Sequence, residues 1–313
     1  MDYDVVIIGG GPAGLTAALY ASRARLKTLV IESMSVPGQA ILTDSIENYP
    51  GFPEGVNGFE LVERFKKQAV HFGAELMTGD VKNIGSFENG FKIDSGSKLL
   101  STLSVIVAAG ARPKKIGIPG EKELTGRGVS YCATCDGALY KDKEVVVLGG
   151  GDSAIEEAVF LTRFAGKVTV VHRRDRLRAA KVVQEKAQAN KKIIFTLESV
   201  PLEIQGKDKV VSIKIKNLKT GKEAQLACDG VFIFVGYEPN TDFIKGLLAL
   251  DEKGYITAGR DMTTSKKGIF ACGDCTQKLL RQVITACGDG ATAAFSAQQY
   301  VEAVSYTHLT LPT

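Results

Sequence analysis

One pattern constrains this chain more than any other, and it occurs twice. Val5-Val6-Ile7-Ile8-Gly9-Gly10-Gly11-Pro12-Ala13-Gly14 is an apolar run, a glycine turn and the start of a helical stretch extending through Ala24. Val145-Val146-Val147-Leu148-Gly149-Gly150-Gly151-Asp152-Ser153-Ala154 repeats that grammar, with helical sequence to about Ala165. A second apolar, β-branched run follows each, at 27–32 and 167–172. Strand, glycine turn, helix and parallel strand make a βαβ unit, which has one permitted hand and must cover a sheet with helices. The expected fold class is therefore α/β, with two Rossmann-like dinucleotide-binding domains in one chain.

Each unit also closes alike. An apolar strand at 103–109 ends at Gly110, another at 231–235 ends at Gly236, and polar β-branched stretches at 87–94 and 210–218 precede them. Those stretches predict small antiparallel sheets, which gives each domain three layers, ββα. Proline-bearing segments, Ala111-Arg112-Pro113 and Tyr237-Glu238-Pro239-Asn240, are the expected linkers. The stretch after Asp242 is too short for a third domain, so the second domain is expected as an insertion in the first. The expected limits are 1–112 with 243–303, then 113–242. Helical sequence is expected at 291–303, and the tail 304–313 is not expected to continue it.

Within the first glycine turn, Gly9 makes the bend, Gly11 admits a pyrophosphate and Gly14 lets helix pack on strand, while Pro12 and Ala13 open the helix. Glu32 ends the next strand, where an acid accepts from an unphosphorylated ribose, so this site is expected to take FAD or NAD. The second site is Gly149, Gly151, Asp152, Ser153 and Ala154, and its second strand ends in His172-Arg173-Arg174, with Arg178 further on. Guanidinium groups pair with a ribose 2′-phosphate and an acid would repel it, so this site is expected to take NADPH. The competing readings are a glycine turn in another α/β fold and a solvated helix start.

Cys132-Ala133-Thr134-Cys135-Asp136 precedes the second βαβ unit. Such a pair is a redox dithiol, half a zinc site or two unrelated thiols. The other pair, Cys272 and Cys275, lies far beyond zinc-ribbon spacing, and two dinucleotide sites favour redox chemistry. No metal is expected. A net charge of +4 gives no ground for a nucleic-acid partner. With no leader pattern and no apolar run of membrane-spanning length, no membrane association is expected and the cytoplasm is the expected address.

The order and spacing of Gly9–Gly14, Cys132–Asp136, Gly149–Ala154, His172–Ala179 and Gly268–Asp274 resemble the low-molecular-weight thioredoxin reductases. Gly38-Gln39, the loop from Glu47 through Asn48 to Phe52, Arg281-Gln282-Val283 and Gly288-Asp289-Gly290 look like that family's flavin-facing segments. The resemblance implies FAD in the first site, a homodimer, and a disulfide carried on the NADPH domain. Electrons would pass from NADPH to FAD, to Cys132–Cys135, and to thioredoxin or a thioredoxin-like protein. It also implies that Cys135 faces the flavin, Cys132 attacks the partner, and Asp136 protonates a leaving thiolate. Gly273 and Asp274 would meet the flavin nucleotide, with Asp274 accepting from its ribityl hydroxyls. The turn at 288–290 would aim N–H groups at the flavin as it enters the last helix. Cys272 and Cys275 acquire no role from the resemblance, nor do Cys228 and Cys287. The alternatives are a dithiol oxidase of the same fold, a reductase of another disulfide partner, and a redox sensor. The three arginines count against the oxidase.

Overall fold

The computed structural model describes residues 1–33, 38–43, 46–88 and 90–310. It divides the chain into two compact units, Met1–Arg112 with Glu238–Thr313, and Pro113–Tyr237.

Unit 1 begins with β1 (Tyr3–Ile8), α1 (Pro12–Arg23) and β2 (Thr28–Glu32), paired in parallel from Val5↔Thr28 to Ile8↔Ile31. Pro12 suits the first turn of α1, because its missing N–H would be unpaired there in any case. Then come α2 (Gly58–His71), β3 (Glu75–Thr78), the meander β4 (Asn83–Phe87) and β5 (Gly90–Asp94), β6 (Leu99–Val107) and β7 (Ala111–Pro113). β6 starts four residues before the expected 103. Its first half pairs antiparallel with β5, while its second half lies parallel to β1.

Unit 2 repeats the plan. It runs through β8 (Val129–Ser130), the one-turn α3 (Ala133–Asp136), β9 (Glu144–Leu148), α4 (Asp152–Leu161), β10 (Lys167–Val171), α5 (Lys181–Gln188) and β11 (Ile193–Thr196). An antiparallel layer follows, β12 (Ser199–Gly206), β13 (Val210–Asn217) and β14 (Glu223–Ala227), before β15 (Gly230–Ile233) closes the parallel sheet. Among the described residues that sheet has the order β11-β10-β9-β15-β8. Helices α4 and α5 bury Ile155, Ala158, Leu161 and Ala187 on one face, and the antiparallel layer buries Ile204, Ile213 and Ile215 on the other. The result is two glycine-turn α/β units of three layers, the second inserted in the first.

The chain returns through β16 (Tyr237–Pro239), paired with β7 in a two-stranded ribbon, then β17 (Ile269–Ala271) beside β6 and α6 (Val283–Thr310). On the unit 1 side, Asn240 donates from its backbone N to Gly110 O at 3.1 Å and from Nδ2 to Ala109 O at 2.9 Å. Arg112 there reaches Glu238 at 2.8 Å and Asp242 at 3.0 Å. These bonds draw 238–242 into unit 1, so the return falls at Glu238 and not at the expected 243.

Two further boundaries differ from expectation. α4 ends at Leu161, short of Ala165, in turns that bond Arg163, Phe164 and Ala165 back to Phe160 and Leu161. α6 begins at Val283, eight residues early, and continues to Thr310. Residues 311–313 of the expected tail lie outside the described residues.

Candidate functional site

In unit 1 the glycine turn sits at the carboxyl ends of β1 and β6. Gly9 has φ +117°, and a Cβ there would run into the Ala108 carbonyl, so only glycine makes this bend. A Cβ on Gly14 would strike the Gly9 carbonyl, which brings α1 close to the sheet. Gly11 has open space where its Cβ would lie. It is the extended N-cap of α1, and it gives no side-chain cap. In contrast, α2 is capped by Asn57, whose Oδ1 accepts from Phe59 N at 3.1 Å and Glu60 N at 3.3 Å. The first turn of α1 therefore keeps N–H groups available to an anion in an open space. Pro12 and Ala13 form that turn, and Ala13 also abuts Gly273. Glu32 lies over Gly10, with its carboxylate 3.5 Å from Lys66 Nζ.

Asp274 stands in a short turn after β17. Its Oδ1 is buried without a hydrogen-bond partner among the described residues. Burial pushes its carboxyl above the usual range, against the pull of Lys278 and Arg281. A buried acceptor left open in this way suits a ligand bearing hydroxyl donors. Gly273 takes φ +76° and donates its N–H to Asp289 Oδ2 at 3.1 Å, and Lys278 Nζ donates to the same oxygen. Arg281 stacks on Tyr255, 4.0 Å from the ring centroid, and bonds to the carbonyl of Thr276 at 3.1 Å. Its guanidinium thus braces the loop that carries Asp274. Asn48 Nδ2 donates to Gln282 Oε1 at 3.0 Å, which joins two of the expected flavin-facing loops at Val283, the start of α6. Gly38 and Gln39 form the turn that accepts Ile41 N and Leu42 N, at 3.1 and 3.2 Å. The segment 288–290 is not a turn into the last helix. It lies inside α6, where a Cβ on Gly290 would collide with the Ala13 carbonyl.

Unit 2 holds a second cradle of the same build. Gly149 has φ +149° and no room for a Cβ against Phe234 O and Ala154. Beside Gly151 a Cβ would meet only Arg178 Nη2, at 4.0 Å. α4 likewise lacks a side-chain cap from Gly151. Ser153 is exposed in its first turn. Asp152 is occupied elsewhere, accepting Ala180 N at 2.7 Å at the start of α5. Arg178 N donates to Gly150 O at 2.6 Å, so the arginine loop is tied to the glycine turn. Arg173, Arg174 and Arg178 are exposed, whereas His172 is buried against Gly150. Burial, then Arg178, Arg173 and Arg174, hold the His172 pKa below its ordinary value, and its Nε2 has no partner among the described residues.

Cys132 and Cys135 form a disulfide in unit 2, with Cα atoms 5.4 Å apart. Cys132 is the N-cap of α3, its Sγ accepting Cys135 N at 3.1 Å. Cys135 is exposed and Cys132 half-buried. Asp136 is half-buried, with its N bonded to Cys132 O at 3.3 Å. The remaining cysteines are buried and free. Burial pushes Cys228 up to about 12 and Cys275 to about 11, and raises Cys272 and Cys287. Protonated, enclosed thiols are poor nucleophiles. Among the described residues no cluster of His, Cys, Asp or Glu could hold a metal, and no helix is long and apolar enough to cross a membrane.

The chain carries two glycine-turn cradles and a Cys132–Cys135 disulfide, and the family model described as pyridine nucleotide-disulphide oxidoreductase matches its residues 3–290. The chain belongs to that family. Among pyridine nucleotide-disulphide oxidoreductases it groups with the thioredoxin reductases. It is 50% identical over 304 residues to the thioredoxin reductase of Treponema pallidum, covering 96% of this chain and 98% of that one. It is 50% identical over 310 residues to that of Bacillus subtilis, covering 99% and 98%. A crystal structure of Lactococcus lactis thioredoxin reductase matches with a TM-score of 0.94 at 46% identity, covering 96% of this chain and 99% of that one. Enzymes of this group are NADPH-dependent flavoprotein disulfide reductases, with FAD and NADPH as cofactors.

Proposed function

We propose that the chain reduces the disulfide of thioredoxin or a thioredoxin-like protein, with FAD held by unit 1 and NADPH by unit 2. The observation that carries this reading is the Cys132–Cys135 disulfide on the same unit as an arginine-flanked glycine cradle. FAD, when bound, supplies the relay of two electrons from NADPH to that disulfide.

The residues fit both nucleotides. The first turn of α1, with Gly9, Gly11, Pro12, Ala13 and Gly14, would hold the FAD pyrophosphate, and Glu32 would accept from the adenosine ribose. Asp274, next to Gly273, would accept from ribityl hydroxyls. Gly38, Gln39, Asn48, Gln282 and Val283 would border the flavin, with Arg281 acting through its loop. The first turn of α4, with Gly149, Gly151, Ser153 and Ala154, would hold the NADPH pyrophosphate. Arg173, Arg174 and Arg178 would pair with the 2′-phosphate, while Asp152 and His172 fix the loop that presents them. Once reduced, Cys132 attacks the partner disulfide and Cys135 resolves the mixed disulfide. Asp136, next to Cys135 in sequence and with its N–H bonded to Cys132 O, supplies the proton for a leaving thiolate. We also infer a homodimer, which the family resemblance implies, and a cytoplasmic enzyme.

Cys132→Ser and Cys135→Ser should each abolish NADPH-driven reduction of a bacterial thioredoxin while NADPH still bleaches the flavin at the parent rate. Retained thioredoxin turnover in Cys132→Ser overturns the reading.

A further inference from the structure

Unit 2 contains a buried carboxylate that this reading leaves unused. Glu121 is 3% exposed. Its Oε1 accepts Ile116 N at 3.0 Å and the Tyr131 hydroxyl at 2.7 Å, and its Oε2 accepts Gly117 N at 2.6 Å. Burial opposes the charge, yet the Tyr131 hydroxyl and the N–H groups of Ile116, Gly117 and Ile118 hold its carboxyl below the usual range. Tyr131 in turn is pushed upward by burial and by the facing Glu121, so it stays a neutral donor. An ionised buried group with such partners is costly to disturb, because removing one donor strands a charge.

What the carboxylate joins is more telling than its cost. On one side lies the main chain just after the crossing at Pro113. On the other is Tyr131, the residue immediately before Cys132. The Cys132 backbone is clamped independently by Ser130, which is 4% exposed and sits in the parallel sheet. Ser130 Oγ accepts Cys132 N at 3.1 Å and donates to Cys132 O at 3.2 Å. The chain entering the redox turn is thus anchored at the backbone of Cys132 and at the side chain of the residue before it.

We propose that Glu121 is a positioning residue for Cys132, acting through the Tyr131 hydroxyl. The inference rests on the reading of Cys132–Cys135 as the working disulfide. In the reduced dithiol the S–S bond no longer restrains the turn, so these anchors must. The Cys132 thiolate then attacks one partner sulfur in line. A Cys132–partner bond forms, and the second partner sulfur leaves as a thiolate and takes a proton. Attack by the Cys135 thiolate on Cys132 Sγ re-forms the internal disulfide and releases the other partner sulfur, also to be protonated. The dithiol loses two electrons and the partner gains them. In-line displacement tolerates little misplacement, and about 1 Å can cost on the order of a hundredfold in rate.

Tyr131→Phe keeps the ring and removes the one hydroxyl, and Glu121→Gln keeps the size and removes the charge. In the holoenzyme each should lower kcat for thioredoxin reduction about tenfold, with stopped-flow flavin reduction by NADPH at the parent rate. The double variant should lose no more than the worse single one, because the two act as a unit. Parent-rate thioredoxin turnover in Tyr131→Phe overturns the proposal. So does an equal fall in both half-reactions, which marks a general loss of fold. If Glu121→Gln does not fold, Tyr131→Phe alone decides. An active Cys132→Ser sinks the parent reading, whereas an inactive Cys132→Ser beside a fully active Tyr131→Phe sinks only this inference.

Discussion

Asp274 combines a buried oxygen that has no partner among the described residues with a raised pKa, and the two together set opposing demands on one side chain. Its carboxyl binds a proton in the folded apo chain that the unfolded chain gives up near pH 3.9. Its contribution to stability therefore falls as pH rises from that value through the raised folded pKa. Asp274→Asn should leave the apo protein at least as stable at pH 7 while weakening FAD binding by about tenfold or more, the worth of a hydrogen bond to a charged group. Thermal melts of the apo protein and fluorescence titration with FAD check both halves. His172 runs the other way. Its depressed pKa means that below about 6.5 the unfolded chain takes a proton the folded chain refuses, so stability is lost as pH falls through that window. His172→Asn should flatten that loss in melts between pH 5 and 7.5. At the exposed arginines, Arg173→Ala with Arg174→Ala should erase most of an NADPH over NADH preference of at least about tenfold, about 1.4 kcal/mol. Equal kcat/KM for the two coenzymes in the unaltered protein would contradict the assignment. Glycine turns and charged strand ends were legible because their roles are local. The partners of Asn48 and Asp289 were not, since they lie in other segments; those of Glu121 are near in sequence, but no motif marks a buried carboxylate there.

Helix α6 is where sequence and structure part most clearly. Gly288 and Gly290 discourage helix by propensity, so the stretch looked like a turn. Packing overrides that preference. Ala13, Ala17, Ala18 and Ala21 of α1 share one core with Ala286, Ala293, Ala294 and Ala297 of α6. Small side chains on both faces let the two backbones come close, and at Gly290 no Cβ would fit against the Ala13 backbone. Gly290→Ala should cost about 1–3 kcal/mol, the usual penalty for overpacking. It should weaken FAD far more than NADPH, because α1 carries only the first cradle. Melting curves and separate titrations with the two nucleotides measure this, and equal weakening would count against it. The βαβ elements were legible because their hydrophobic period and glycine punctuation agree. α6 has the small-residue face of a close helix pair, and its partner cannot be named from a single segment.

At the scale of the whole molecule, the insertion was legible from the repeated grammar and the two proline-bearing crossings. Its exact limits were not, because side chains of Arg112, Glu238, Asn240 and Asp242 set them. On the proposed reading the cradle of unit 2 takes NADPH, and that cradle and the disulfide, both on unit 2, would exchange electrons with FAD held by unit 1. Turnover is therefore expected to need movement of one unit against the other about the crossings. A fully formed cross-link between the units should leave one stopped-flow half-reaction fast and halt the other. Undiminished steady-state turnover in the cross-linked protein would exclude the motion. The ribbon of β7 and β16 has a separate consequence. Paired strands lie about 5 Å apart, so the two ends of unit 2 leave unit 1 side by side. Unit 2 is thus a cassette: it can be cut out as one continuous chain, and a linker of a few residues can close the gap between Arg112 and Glu238. A scaffold of this kind can exchange its whole inserted unit in one splice without rethreading the core that hosts it.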